Sequence, residues 1–243
     1  MKNLLLAAAA LFCLSNLHAQ EGFHIGFMAG PQYTKIFNGE DPNPTRTAFQ
    51  YERTWGYNAM AKIGYNIGDP LGFHLGLIYS VQGQTHTATD TALGTRVTTS
   101  RELTYLKIPF YIHINSDPAP VMFALEFGPQ LGLLQDAAYL DDGQPVVFGG
   151  GTTADQLFKP NDIAFAWSLG LEFAVTEWMH FVIAHRGDYS IIDMENKDLT
   201  VAGTPVYENS RGPANNGTFS IQGGLVFCLY PGGGGRNTKF WIR

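Results

Sequence analysis

Trp55-Gly56-Tyr57-Asn58-Ala59-Met60-Ala61-Lys62-Ile63-Gly64-Tyr65-Asn66-Ile67 alternates large apolar residues with small or polar ones without a break. Successive side chains of a strand point to opposite sides of the pleat. Trp55, Tyr57, Ala59, Ala61, Ile63, Tyr65 and Ile67 therefore share one face. The other face holds Gly56, Asn58, Met60, Lys62, Gly64 and Asn66. Water would demand a second face crowded with Lys, Glu, Asp and Thr, whereas this one is mostly small. A membrane-crossing strand needs about 9–11 residues, a length this stretch exceeds, while soluble strands usually run about 5–6.

The same rhythm recurs on both sides of it. Phe23, Ile25, Phe27 and Ala29 precede it, and Phe73, Leu75, Leu77, Tyr79 and Val81 follow. Leu106 to Ile114, Phe123 to Leu133, Ile163 to Val175, Phe181 to Tyr189 and Phe219 to Leu229 complete eight segments. Their opposite faces repeat glycine: Gly26, Gly30, Gly64, Gly76, Gly128, Gly132, Gly170 and Gly224. An eight-stranded barrel has an interior just wide enough for side chains to fill, and small residues with a few polar ones suit it. Aromatics gather near segment ends: Trp55, Tyr57, Tyr79 and Tyr189 on one side, Tyr65, Phe73, Phe123 and Trp178 on the other. Two such belts mark bilayer interfaces. The expected fold is all-β, a closed eight-stranded antiparallel up-and-down transmembrane barrel, since lipid offers no partner for an open sheet edge. The rival is a soluble lipocalin-like barrel with its apolar face turned inward around a ligand.

Connections alternate in length. Gly68 to Leu71, Asn115 to Pro120 and Thr176 to Trp178 are tight and carry turn residues. Asn38 to Arg53, Gln84 to Arg101, Gln135 to Asn161 and Asp193 to Gly217 read as long loops rich in Thr, Asp, Asn and Gly. Short turns at one end and long loops at the other are the outer-membrane pattern.

Residues 1–19 read as a signal peptide: Lys2, an apolar run from Leu4 to Leu14, and a small residue, Ala19, at the cleavage point. A lipoprotein signal on Cys13 competes, but the large Phe12 before it fits that chemistry poorly. The barrel domain then covers 20–230, and 231–243 is a flexible tail opening on Pro231-Gly232-Gly233-Gly234-Gly235. After cleavage Cys228 stands alone, which excludes an intrachain disulfide. A net charge of −6 argues against a nucleic-acid partner.

Chemistry-bearing residues are sparse. Lys62, Lys107, Glu126, Glu172, Arg186 and Asp188 lie on the small-residue face, with Lys62, Lys107, Glu126 and Arg186 at broadly similar heights and Glu172 somewhat lower. Buried charges must pair, so an interior salt-bridge cluster is expected. It reads as a polar plug before an ion path. His24, His74, His113, His180 and His185 are scattered over different strands without the close spacing of a metal motif. Asp136, Asp141, Asp142 and Asp155 read as a solvated acidic loop before a Ca²⁺ site. Gly149-Gly150-Gly151-Thr152 lacks the Lys of a phosphate loop, Arg186-Gly187-Asp188 sits inside a strand, and Asn216-Gly217-Thr218 is an acceptor pattern without consequence in a bacterium. Neither Gly-x-Ser-x-Gly nor His-Glu-x-x-His occurs. No catalytic set, cofactor or metal is expected.

Gly26-Phe27-Met28-Ala29-Gly30, Tyr105-Leu106-Lys107-Ile108-Pro109, Gly128-Pro129-Gln130-Leu131-Gly132 and Gly170-Leu171-Glu172-Phe173 resemble strand motifs of the PorT-type outer-membrane β-barrel family, relatives of the small OmpA and OmpX barrels. Gln222, Gly224, Phe227 and Leu229 are similar to the last-strand signal read by the outer-membrane insertion machinery, although a tail follows here. The resemblance implies an outer-membrane protein of Gram-negative bacteria with both termini periplasmic. Its expected partners are outer-membrane lipid, the insertion machinery and surface or secretion partners. The first reading of function is a non-enzymatic barrel whose long loops make surface contacts. The resemblance alone suggests an accessory of a protein-secretion apparatus. The rival classes are a lipid-modifying or proteolytic barrel, for which no catalytic set assembles, and the soluble carrier.

Overall fold

The computed structural model describes residues 22–38, 48–52, 54–67, 70–89, 96–116, 120–146, 148, 152–176, 178–201, 204–205 and 212–229. The signal segment, the tail after Leu229, and Gly149 to Gly151 lie outside them. Eight long strands follow one another: β1 Gly22–Asn38, β2 Thr54–Asn66, β3 Leu71–Thr89, β4 Arg96–Asn115, β5 Val121–Asp141, β6 Asn161–Ala174, β7 Met179–Ser190 and β8 Ala214–Cys228. Each pairs antiparallel with the next. β8 returns to β1 from His24↔Cys228 to Asn38↔Ala214. The sheet thus closes into a ring, which leaves no edge strand unpaired.

The alternation read from the sequence becomes inside and outside. Phe27, Ile63, Leu169 and Ile221 point outward with 55%, 56%, 56% and 63% of their surface exposed. Gln32, Lys107, Glu126, Arg186 and Gln222 point into the lumen and are buried. Water would strongly disfavour an outer wall of this kind, since each exposed large side chain forgoes about 1.5–3 kcal/mol of burial. Hydrocarbon accepts it. The soluble-carrier alternative required the opposite orientation and is corrected here. Both aromatic groups lie on the outer wall, with Trp55 and Trp178 at 66% and 53% exposure.

Strand ends depart from expectation at the long-loop side. Pairing of β3 with β4 continues through Gln84↔Arg101 to Thr89↔Arg96, and Ala48–Glu52 adds to the same sheet beside β3. The stretch from Gln84 to Arg101, taken for a loop on its polarity, is thus largely a hairpin. Its Thr85, Thr87, Thr89, Thr98 and Thr99 are β-branched, and that shape favours the pleat whatever the polarity. β5 likewise runs on to Asp141.

Lumen glycines make room for larger neighbours. A Cβ on Gly64 would collide with the His74 ring, and one on Gly26 would crowd the Lys62 stem at 3.0 Å. The barrel is therefore narrow, and what fills it is decided by a few long polar side chains.

Candidate functional site

Within the lumen the charged residues form two groups. Nearer the short turns, four adjacent strands converge on one carboxylate. Oε1 of Glu126 (β5) accepts from Nζ of Lys62 (β2) at 2.6 Å and lies 2.6 Å from Nδ1 of His74 (β3) and 3.2 Å from Nδ1 of His113 (β4). The two imidazoles stack, with centroids 4.1 Å apart. His113 is the direct cross-strand partner of Glu126. Glu172 (β6) meets Nδ1 of His180 (β7) at 3.4 Å, and the His24 ring (β1) sits 6.3 Å from that of His74.

The second group lies nearer the long connections. Nζ of Lys107 donates to both oxygens of Asp188 at 3.0 and 3.1 Å, and Nη1 of Arg186 donates to the same carboxylate at 2.7 Å. Thr218 adds a hydroxyl at 2.8 Å. Arg186 spends its other donors on Tyr111 Oη, at 2.9 Å, and on Gln130 Oε1. Asp162 bonds Ser190 and Asn216. An amide chain, Gln222 to Asn58 to Gln32 to Ser80, crosses the adjoining wall. Among these polar groups, Met28, Met60, Ile78, Val182, Ala184 and Val226 of β1, β2, β3, β7 and β8 form one apolar patch.

A lid closes the long-connection end. Ile36, Leu103, Tyr105, Leu157, Phe158, Met194 and Ala214 form an apolar cluster. The single turn Ala154–Leu157 and the segment around Met194 hold each other by Lys159 N–H to Met194 O at 2.8 Å and Asn196 N–H to Leu157 O at 2.9 Å. Outside the lumen, two carboxyls are held below their ordinary range. Glu52 is held by the Thr87 hydroxyl at 2.6 Å and then by Arg96. Asp193, despite partial burial that works against it, is held by Lys197 and the backbone N–H groups of Ala214 and Glu195.

The six charges expected to cluster all face the lumen, but they divide. Lys62 and Glu126 pair in one group, with Glu172 beside them joined to His180; Lys107, Arg186 and Asp188 make the other. Arg186-Gly187-Asp188 points inward, so the tripeptide presents nothing to a partner. Of the last-strand residues, Gln222 and Gly224 face inward while Phe227 and Leu229 face outward. Phe227 stacks on Trp178 with centroids 6.0 Å apart. Asp136, Asp141, Asp142 and Asp155 form no metal-like group among the described residues. The histidines differ from expectation. His74 and His113 bring nitrogens within 4.8 Å of each other and of a Glu126 oxygen, although they are 39 positions apart in the chain numbering, from 74 to 113. The signal that finds them is parity with hairpin height: both lie on the lumen face, within three residues of a short turn.

The family model for the outer membrane protein beta-barrel domain matches residues 18–196 of the 243. The chain belongs to that family. It is an outer-membrane β-barrel protein, and its apolar wall is the lipid-facing surface. Among solved structures it is similar to Neisserial surface protein A, at 16% identity over 86% of this chain and 97% of that one, with a TM-score of 0.45. It is similar to OprG from Pseudomonas aeruginosa, at 9% identity over 86% and 97%, with a TM-score of 0.43. Ail of Yersinia pestis, in complex with a heparin analogue, gives 13% identity over 85% and 99%, with a TM-score of 0.39. No curated protein matches.

Proposed function

We propose that this protein is a non-enzymatic outer-membrane anchor whose plugged barrel holds up a surface-contact platform outside the cell. The observation that carries the reading is the mismatch between the greasy band and the strands. The outward apolar series ends at Val81 on β3, Leu106 on β4 and Leu133 on β5. Those strands continue to Thr89, Arg96 and Asp141. Eight to ten residues at roughly 3.3 Å each carry the sheet about 25–30 Å beyond the band. On β4 its outward residues there are polar: Thr104, Glu102, Ser100 and Thr98, facing Asp136, Ala138 and Leu140 of β5. Its inward side supports the lid through Leu103, Ala137 and Tyr139, while its outward side is free of lipid and suited to contact, as loops on a rigid scaffold are. The carboxylates of the lumen, engaged by cations and hydroxyls, support a sealed interior over a conducting one. On this reading the signal segment is removed, the short turns face the periplasm and the long connections face outward.

The test replaces residues 85–100 by Asn-Gly, which closes β3 and β4 with a two-residue turn. Cells carrying either form are measured for attachment to one another and to collagen- and fibronectin-coated surfaces. Insertion is checked by outer-membrane fractionation and by gel mobility that shifts on heating. The shortened protein should insert and lose attachment; equal attachment by both forms refutes the platform. Conductance of the purified protein clearly above that of a bare bilayer refutes the plug. An accessory role in secretion draws only on the PorT-type motifs, and Tyr105, Lys107 and Pro109 of the longest are buried in the lumen, where they offer no surface to a partner. Normal secretion in a deletion strain counts against that role.

A further inference from the structure

The group nearer the short turns is an unusual filling. The Lys107–Arg186–Asp188 group neutralises itself with permanent charges and amides, but this one gathers His24, His74, His113 and His180 around Glu126 and Glu172, with Lys62 as its cation. With neutral imidazoles, two carboxylates against one ammonium leave one negative charge. Two buried ring nitrogens, Nδ1 of His24 and Nε2 of His74, have no hydrogen-bond partner. A buried polar atom left so costs about 1–3 kcal/mol, and a pure space-filler would use an apolar side chain there. The Glu172 side chain at the edge of this group keeps 10% exposure while those of Lys107, Asp188 and Arg186 keep 1–2%, and those of His74, His113 and Glu126 keep 3–4%.

We propose that His74, His113 and Glu126, with His24 beside them, bind a divalent transition cation of the zinc type. Imidazole nitrogen with one carboxylate oxygen is the donor set such ions select. Ligand atoms about 2.0–2.1 Å from zinc stand roughly 3.3 Å apart; the His113–Glu126 separation of 3.2 Å matches, the His74–Glu126 separation of 2.6 Å has to open, and the three donor atoms already lie within 4.8 Å of one another. The ion takes over from the Lys62 ammonium as counter-charge to Glu126. Lys62 then turns toward Glu172, which lies within its electrostatic reach. The three ligands come from β3, β4 and β5 near their short turns, so the ion ties these three strands together at the end of the barrel opposite the platform. The inference depends on the fold and not on what the platform contacts.

The test uses the full barrel without an affinity tag, folded in detergent and stripped of metal, titrated calorimetrically with zinc sulfate. One zinc per chain is expected. Lys62→Met removes the competing cation and should tighten binding at least about tenfold, while His74→Gln with His113→Gln should weaken it by at least about tenfold. Heat-shifted gel mobility confirms that each variant is folded. Zinc-edge X-ray absorption of the wild-type protein needs no variant: a shell of two or more imidazoles with oxygen supports the site, whereas a sulfur-containing shell moves the ion to Cys228 and overturns it. Absence of binding by both the wild type and Lys62→Met also overturns it, as does binding unchanged in the double His variant.

Discussion

Asp188 and Glu126 each collect three donor side chains in the same lumen, but their surroundings differ in kind. Around Asp188 the donors are Lys107, Arg186 and Thr218, and Arg186 goes on to bond Tyr111 and Gln130. Two cations there face two carboxylates, Asp188 and Asp162. Around Glu126 two of the three partners are imidazoles, one cation faces two carboxylates, and ring nitrogens remain unpartnered. A fully satisfied network stiffens a protein, whereas a partly satisfied one retains a capacity to take a proton or an ion. The barrel thus holds a fixed plug toward the long connections and an adaptable group toward the short turns.

Breaking each carboxylate should expose that contrast most strongly. Asp188→Ala takes from Lys107 and Arg186 the carboxylate both bond, leaving two buried cations to the single, more distant Asp162, and about 3–5 kcal/mol of stability should be lost. Glu126→Ala should cost less, about 1–3 kcal/mol, because a second carboxylate, Glu172, remains in the same group to balance Lys62. Urea midpoints of folding into lipid vesicles, read by heat-shifted gel mobility, measure both. An equal or larger loss for Glu126→Ala erases the distinction.

Smaller changes sharpen it. Tyr111→Phe removes the hydroxyl that accepts from Arg186 and should cost about 2 kcal/mol, as a bond to a charged group does. Tyr105→Phe, whose hydroxyl meets Asn216 at 3.4 Å, should cost about 0.5 kcal/mol. Gly64→Ala forces the His74 ring aside and should cost about 1–2 kcal/mol. Adding His74→Ala should return part of that loss, since the pair interacts. Gly170→Ala meets only the Ala184 Cβ at 3.3 Å and serves as the tolerant control. A Gly64→Ala loss that His74→Ala leaves untouched would show that the backbone, and not the ring, resists.

Which wall each side chain takes is legible in the sequence because parity is strict. From Trp55 to Ile67 every second residue is apolar, five of the seven large, and every one of those lies outside. Height is harder to read. Lys62, Lys107, Glu126 and Arg186 stand at similar counts from the short turns, yet they divide into two groups, because strand tilt and stagger displace each strand along its neighbour and no single-strand count contains that. The histidine convergence is hidden for the same reason: His74 and His113 meet only through the register that pairs Gly72 with His113. The projecting sheet is missed because polarity outweighs shape when Thr85 to Thr89 is read as loop. The lid from Leu157 to Met194 depends on contacts between two connections distant in sequence, which no local pattern records.

An ion pair outside the lumen calibrates both groups. Asp193 accepts from Lys197 at 2.8 Å and from the backbone of Glu195 and Ala214 at 3.1 and 3.0 Å, which pins the segment that sends Met194 into the lid. Its carboxyl is held below the usual value in the folded protein. The stabilisation is therefore present at every pH above the unfolded value of about 3.9 and is lost as pH falls through that value and below. Being partly solvated, the pair should contribute less than about 1 kcal/mol. Limited proteolysis of the connection between β7 and β8, with a neutral protease above pH 5 and an acid-active one below and each rate divided by that on an unfolded substrate, should show constant protection from pH 7 to 5 and a rise in cleavage below about pH 4. Asp193→Asn should cleave faster at neutral pH and lack the added acid step; a variant that keeps the step assigns it to another carboxyl and removes Asp193 from the lid's support.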